Sequence, residues 1–288
     1  MAVGLDKAES SGQAALAAAR FELIPIGGML DAADQLPAAA TVSVTCSPRH
    51  GIERTLDGAR ALQARGHRVI PHIAARLVRD EQHLDAILSR LAAQAVDEIF
   101  VIAGDAPQAA GRFSDGLSLL EAMAGDSRRP QRIGVPAYPE GHASLSEAAL
   151  LAALQAKLPY ADYAVTQICF DPERIRRWLQ SLPAARVWLP MYIGLPGVMD
   201  PKRLLAISMR IGIGSSLRVL KRSQGLTGRM LHGVYRPDAL VRGLLPLFGT
   251  DLGLPLAGLH FNTFNHVAPL RQWQTAMLAS LAAEAATP

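Results

Sequence analysis

Short apolar runs rich in β-branched residues alternate along the chain with longer segments of helical period. Eight of these runs are typical of strands, and most are nearly continuous in apolar residues, as expected of strands covered on both faces by helices. The predicted strands lie at 21–26, 41–46, 68–73, 98–104, 133–138, 163–170, 187–193 and 256–262.

The segments between the runs predict amphipathic helices, and several carry helix-start signals. Asp80 precedes one helix and Asp171 another, the latter with Pro172 at the first helical position. Ser144 and Glu147 have the spacing of a capping box. Asp200 and Pro201 repeat the Asp-Pro device, which predicts a further helix at 200–212.

Eight strands, most followed by a helix, predict an α/β fold of the (βα)8 TIM-barrel type, since parallel strands need helical crossovers. A doubly wound sheet is the alternative, but the GxGxxG signature expected after its first strand is absent. We expect an N-terminal arm or short helix at 1–19 and a single catalytic barrel at 20–288. The long interval 194–255 predicts extra helices between strands seven and eight.

Composition narrows the classes of function. The net charge is only +4 and aromatic residues make up 5%, so nucleic-acid binding is not expected. Cys46 and Cys169 lie apart in apolar runs, which indicates reduced thiols and no metal site. Because neither a secretory signal nor a membrane-spanning run is found, we expect a cytoplasmic protein that does not contact membranes. A homo-oligomer is compatible with the sequence.

Polar residues recur near the carboxyl ends of the predicted strands, where barrels place their active sites. Taken singly, Glu22 could be an edge carboxylate, Asp105 a turn cap and His72 a core histidine. Polar groups within apolar strands are unfavourable unless paired, however, so the joint pattern favours a site. The set comprises Glu22, Thr45, His72, Asp105, Tyr138, Glu140, His142, Thr166, Gln167, His260, Asn262 and Thr263.

Several of these stretches resemble one known family. FELIPI, VSVTC, PHI, AGDAP, IGVPAYPEGH and AVTQICFD occur in the order found in methylenetetrahydrofolate reductases, over about residues 20–200. AYPEGH and TQICFD are the most specific. The resemblance implies a (βα)8 barrel that binds FAD and reduces 5,10-methylenetetrahydrofolate to 5-methyltetrahydrofolate with NADH or NADPH.

The resemblance also implies roles for individual residues. Glu22 matches the general acid that frees the bridging methylene as an iminium, a role it can fill if burial raises its pKa towards neutrality. Asp105 and Gln167 match the groups that hold the pterin. The matched flavin-contacting positions are Thr45, His72, Ala103, Gly104, Asp105, Phe113, Ser114, Tyr138, His142 and Lys157.

Two of these positions depart from the family pattern. Ala103 stands where the family has an arginine, and Phe113 where it often has a tyrosine. His142 and Lys157 remain candidate partners for the flavin phosphates. Because Ala103 and Phe113 depart from the family's flavin contacts, a reductase that passes hydride directly from NADH to the folate is an alternative. Others are a folate-binding barrel that acts in one-carbon transfer or demethylation without its own flavin step, and a regulatory barrel that is not an enzyme.

Overall fold

The structure, a computed structural model, describes residues 2–200 and 234–286. Eight parallel strands close into a barrel in which each strand pairs with its sequence neighbours and the last pairs with the first. The predicted (βα)8 barrel is confirmed. The strands are β1 (Arg20–Leu23), β2 (Thr41–Val44), β3 (Arg68–Ala74), β4 (Glu98–Ile102), β5 (Arg132–Ala137), β6 (Tyr163–Thr166), β7 (Met191–Pro196) and β8 (Leu256–Asn262).

Helices follow the strands around the barrel, and two short 3₁₀ turns lie at Ala75–Leu77 and Leu245–Gly249. None of the described helices is both long and apolar enough to cross a membrane. In the part of the chain that the structure describes, the helices are α1 (Ala2–Ala17), α2 (Met29–Ala33), α3 (Gly51–Gln63), α4 (Glu81–Ala93), α5 (Gly116–Met123), α6 (Glu147–Lys157), α7 (Pro172–Ser181), α8 (Asp238–Leu244) and α9 (Val267–Ala285).

Several predicted strands were wrong at one end. The strand predicted at 163–170 stops at Thr166, because the Gln167 side chain takes the backbone N–H of Ile168 out of the ladder. The strand predicted at 187–193 begins at Met191, directly after Pro190, which has no N–H to donate. Apolar composition marked both regions as buried but did not distinguish a strand from an apolar loop.

The helix caps agree with the sequence at two of three described positions. Asp80 accepts a hydrogen bond from His83 N at 2.7 Å, and Asp171 accepts from the first turn of α7. The capping box at Ser144 was wrong, because Ser146 is the N-cap and accepts from Ala149 N.

Both ends of the chain contribute helices to the outer layer. Helix α1 is anchored by Leu16, which is fully buried and whose carbonyl accepts a 2.6 Å hydrogen bond from Gln274 on α9. In the interval 194–255, helix α8 agrees with the expected extra helices. The helix predicted at 200–212 and the glycine-rich stretch at 212–216 lie outside the described residues.

Side chains of the strands divide between two environments, as the two-residue period of a strand requires. Outward residues such as Phe21 and Val42 pack with the helices in the main hydrophobic core. A smaller cluster, formed around Ile70, Phe100 and Tyr163, fills the lumen. The residues that alternate with the outward set therefore face the lumen, and polar side chains occupy both of its ends.

Candidate active site

Glu22 faces the lumen near the carboxyl end of β1. Its neighbours Phe21 and Leu23 are fully buried in the outer core, so alternation turns Glu22 inward. Its side chain is 18% exposed. A lumenal carboxylate next to the mouth of a barrel is in the position where barrel enzymes carry out their chemistry.

Two imidazoles and a hydroxyl surround this carboxylate. Glu22 Oε2 lies 3.4 Å from Nε2 of His260 on β8 and 3.8 Å from Nε2 of His72 on β3. Ser43 Oγ on β2 lies 3.4 Å from the same nitrogen of His260. Four strand segments therefore bring their side chains together, although the residues are separated by up to 238 positions in sequence.

Electrostatics keep the carboxylate ionised and one imidazole neutral. Burial raises the pKa of Glu22, but hydrogen bonds from His260 and Asn262 and the charges of the two histidines outweigh burial, so the net pKa is lowered. Burial alone therefore does not give Glu22 the raised pKa that the general-acid role requires. Burial lowers the pKa of His72 to about 4, against the opposing charge of Glu22.

The loop after β8 fixes the backbone on either side of Glu22. Thr263 Oγ1 donates a 2.7 Å hydrogen bond to the Glu22 carbonyl. The Asn265 amide both accepts from Ile24 N, at 2.9 Å, and donates to Ile24 O, at 3.0 Å. Asn265 has φ 63°, which asparagine tolerates better than most residues. The main chain that carries Glu22 is therefore held by a loop from the opposite end of the chain.

Asp105, Tyr138 and Gln167 lie at the same carboxyl end of the barrel. Asp105 follows β4 and is exposed. Tyr138 follows β5, and burial together with the charge of Asp105 raises the pKa of its phenol, which shows that the two side chains are neighbours. Gln167 N donates to Ala137 O at 2.7 Å, and its side-chain oxygen accepts from Ile168 N.

The loop after β4 presents bare backbone at the mouth. Gly104 has φ 91°, and a Cβ there would lie 2.9 Å from the Cβ of Ala74. Arg76 ties this loop down, since its backbone N–H donates to Ala103 O and its guanidinium to Pro107 O. The glycine is therefore required by its left-handed backbone and by the close approach of Ala74.

The mouth suits the ring of a flavin or pterin. Within the described residues, Nε2 of His72 and Nδ1 of His260 are buried without a hydrogen-bond partner, so both can serve a polar ligand. Together they offer a planar, polar ring hydrogen-bonding partners at the mouth. Thr45, Ala103 and Tyr138 belong to the same strand ends.

The other predicted flavin contacts differ in their surroundings. The Phe113 ring is fully buried in the outer core, beneath the Arg112 guanidinium, so it does not face the mouth. Lys157 lies at the end of α6, where burial lowers its pKa and the charge of Asp115 opposes that shift. Ser114 and His142 are exposed, and the His142 ring meets Tyr138 edge-on at 5.6 Å.

Sequence reasoning gave no role to Ser43 and only noted His260 as a polar strand end. Ser43 sits within an apolar strand and has no local motif. Its signal is its position on the lumenal face of β2, opposite Glu22 in the register between β1 and β2. The contact between β1 and β8 that brings His260 to Glu22 arises only when the barrel closes.

The fold and this site define a (βα)8 barrel with a carboxylate held between two imidazoles at its carboxyl mouth. The chain belongs to the methylenetetrahydrofolate reductase family, whose model matches residues 28–210. Membership supports a folate-related reductase or one-carbon role. The matched region contains His72, Asp105 and Gln167, whereas Glu22 and His260 lie outside it.

Three solved structures resemble the chain distantly. A Burkholderia cenocepacia protein with a proposed lyase/mutase assignment has a TM-score of 0.47 and 13% identity, over 97% of this chain and 88% of its own. A family GH18 chitinase from Chromobacterium violaceum has a TM-score of 0.44 and 11% identity, over 87% and 78%. A Rhizomucor miehei chitinase has a TM-score of 0.36 and 9% identity, over 62% and 69%.

Proposed function

We propose that the protein reduces 5,10-methylenetetrahydrofolate to 5-methyltetrahydrofolate with NADH or NADPH, and that FAD is its cofactor. The observation that supports this most strongly is the Glu22 carboxylate, fixed at the mouth against His260 and His72. The reaction needs one hydride at the bridging carbon and one proton at the folate nitrogen that the carbon leaves. Bound FAD, once reduced by NADH or NADPH, would supply the hydride.

Asp105 and Gln167 are the proposed pterin contacts. A carboxylate accepts hydrogen bonds from the amino and ring N–H groups of a pterin and favours positive charge nearby, which suits an iminium. The Gln167 amide nitrogen can donate to the ring, since its oxygen already accepts from Ile168 N. Thr45, Gly104 and Tyr138 are the proposed contacts for the flavin ring.

Glu22 is the proposed proton donor, and its environment sets when it can act. In the free protein the histidines favour its ionised form. A bound ligand that covers its remaining exposed 18% removes water, and desolvation favours the protonated form. Nε2 of His260 lies near both Glu22 and Ser43, so this imidazole orients the carboxylate that donates the proton.

Protonation of Glu22 on ligand binding predicts a difference between two pH profiles. The pH profile of kcat/KM reports groups of the free enzyme, and that of kcat reports groups of the complex. We expect the limb assigned to Glu22 to show a higher apparent pKa in kcat than in kcat/KM. Equal values in the two profiles would contradict protonation on ligand binding.

The activity itself is tested with the purified protein. Flavin absorbance in the eluate would establish the cofactor, and NADH oxidation that depends on methylenetetrahydrofolate, with 5-methyltetrahydrofolate as product, would establish the reaction. Glu22→Gln should abolish folate reduction but leave electron transfer from NADH to added flavin intact. Tight binding of 5-methyltetrahydrofolate without any NADH oxidation would instead indicate the folate-binding, one-carbon alternative.

A further inference from the structure

A groove lies on the outside of the barrel, between helices α6 and α7, and shares only Tyr138 with the site described above. Its volume is about 290 Å³, at the lower limit of the roughly 300–1,000 Å³ of ligand clefts. The floor is apolar and includes Leu150, Leu151 and Leu154 of α6, of which only Leu154 is fully buried. Ala137 of β5 closes its inner end.

The polar rim of the groove is cationic and is partly fixed in position. Arg174 donates to Pro139 O at 2.9 Å and pairs with Glu147 at 2.7 Å, so these two charges cancel. Arg177 is exposed and donates through Nε to the Glu173 carbonyl. The carboxylate of Glu173 forms its direct ion pair with Arg176, at 2.7 Å, and acts on Arg177 only through a weaker charge interaction.

An aromatic ring completes the lining. Trp178 is half-buried, adjoins Arg177 in the sequence and lines the same groove. An indole over an apolar floor can stack on a purine, and a guanidinium at the rim can bind a phosphate. The groove therefore offers both parts of a nucleotide a matching surface.

The groove also adjoins the mouth of the barrel. Tyr138 and Pro139 line it, and Tyr138 is at the same time a neighbour of Asp105. A long ligand could place one end at the mouth and the other in the groove by crossing these two residues. The cavity is too small for a whole dinucleotide but suits one nucleotide half.

We propose that this groove binds the adenosine-phosphate half of the dinucleotide that donates hydride, a statement that relies on the proposed function for the identity of the donor. Trp178 stacks on the adenine and Arg177 binds the phosphates, while Arg174 holds the loop that carries Tyr138 in place. The nicotinamide end would then extend towards the mouth.

The test is a calorimetric titration with ADP-ribose, which carries adenine and pyrophosphate but no nicotinamide, in the absence of folate and turnover. Trp178→Leu should weaken binding about tenfold and Arg177→Ala about fivefold. Trp188→Leu, which removes an exposed tryptophan elsewhere, and Arg65→Ala, which removes a surface arginine on the far side, should leave affinity unchanged. Binding should weaken as salt rises.

Two results would overturn the proposal. One is absence of ADP-ribose binding, or binding that neither groove variant weakens. The other is binding of p-aminobenzoylglutamate to the groove in place of ADP-ribose, which would assign the groove to the folate tail. Since no folate is turned over in the titration, either result would reject the groove proposal without deciding whether the protein is a reductase. Unfolding curves of each variant show whether a lost affinity reflects a lost fold.

Discussion

Charged side chains occupy both ends of the barrel lumen, and β1 contributes to each end from residues only two positions apart. Arg20 belongs to the cluster at the amino ends of the strands, together with Glu98, Arg132, Tyr163 and Tyr192. Glu22 belongs to the cluster at the carboxyl ends, with Ser43, His72 and His260. The two clusters bury similar groups in very different arrangements.

At the amino end, each charge is met by an opposite charge or an aromatic face. Arg20 pairs with Glu98 at 2.8 Å, and both are nearly fully buried. Its guanidinium carbon lies 3.8 Å from the Tyr192 ring centroid and 4.9 Å from that of Tyr163. Gly134 makes room for this packing, since a Cβ there would lie 2.3 Å from the Tyr163 ring.

At the carboxyl end, no guanidinium meets the carboxylate among the described residues, and its partners are imidazoles and the Asn262 amide. Glu22 is approached at 3.4 and 3.8 Å by imidazoles, and burial keeps the His72 ring neutral at physiological pH. The difference indicates that one cluster closes the barrel, whereas the other keeps an incompletely paired charge at the mouth. Incomplete pairing of this kind is expected of a functional site, where the remaining contacts are left for a ligand.

The largest effect is expected at the amino-end cluster. Glu98→Ala leaves Arg20 buried without its partner and should lower the free energy of unfolding by about 4 kcal/mol. Glu121→Ala, at an exposed glutamate of α5, is the control and should change it by less than about 0.5 kcal/mol. Denaturant unfolding measures both. If Glu98→Ala were no worse than the control, the cluster would not be structural.

The second-largest effect is a pH dependence of the unfolding free energy that arises from the carboxyl-end cluster. The pKa of His72 is lowered to about 4 from 6.5, so its contribution to stability is present above pH 6.5 and is lost as pH falls towards 4. Between pH 7.5 and 5 this loss should be about 2 kcal/mol. In His72→Gln that part of the pH dependence should disappear, whereas in His142→Gln, at an exposed imidazole, it should remain. Unchanged pH dependence in His72→Gln would show that the ring titrates normally.

The smallest effect concerns the loop that holds the mouth. Asn265→Gly preserves the left-handed backbone but removes both side-chain hydrogen bonds to Ile24, and should cost about 1 kcal/mol of unfolding free energy. Asn265→Asp retains the acceptor for Ile24 N but sets a carboxylate oxygen against Ile24 O, so it should cost at least as much. The two variants are compared by urea denaturation. Equal stability of Asn265→Gly and the unaltered protein would show that the Asn265 side chain does not stabilise the fold.

Local sequence features predicted much of the fold. Alternating apolar runs and helical periods identified the barrel, and Asp80 and Asp171 were correctly identified as caps because a cap depends on its own first turn. The strand ends near Gln167 and Pro190 were missed. The Gln167 side chain accepts the Ile168 N–H that a strand would use, and Pro190 has no N–H to donate to a neighbouring strand.

The site was less accessible to sequence reasoning. Glu22, His72 and Asp105 were found because each interrupts or follows an apolar run. The approach of His260 to Glu22 depends on the pairing of the first and last strands, which no local pattern contains. Phe113 was assigned to the cofactor from its place in a motif, whereas packing places its ring in the core.

The most direct test of this account compares two glutamates of one lumen in one reaction. Single-turnover reduction of methylenetetrahydrofolate is measured for Glu22→Gln and Glu98→Gln, at a temperature where both variants are folded. The account predicts a loss of about 10³-fold for Glu22→Gln and less than about tenfold for Glu98→Gln. Full turnover by Glu22→Gln, or an equal loss in both variants, would contradict it.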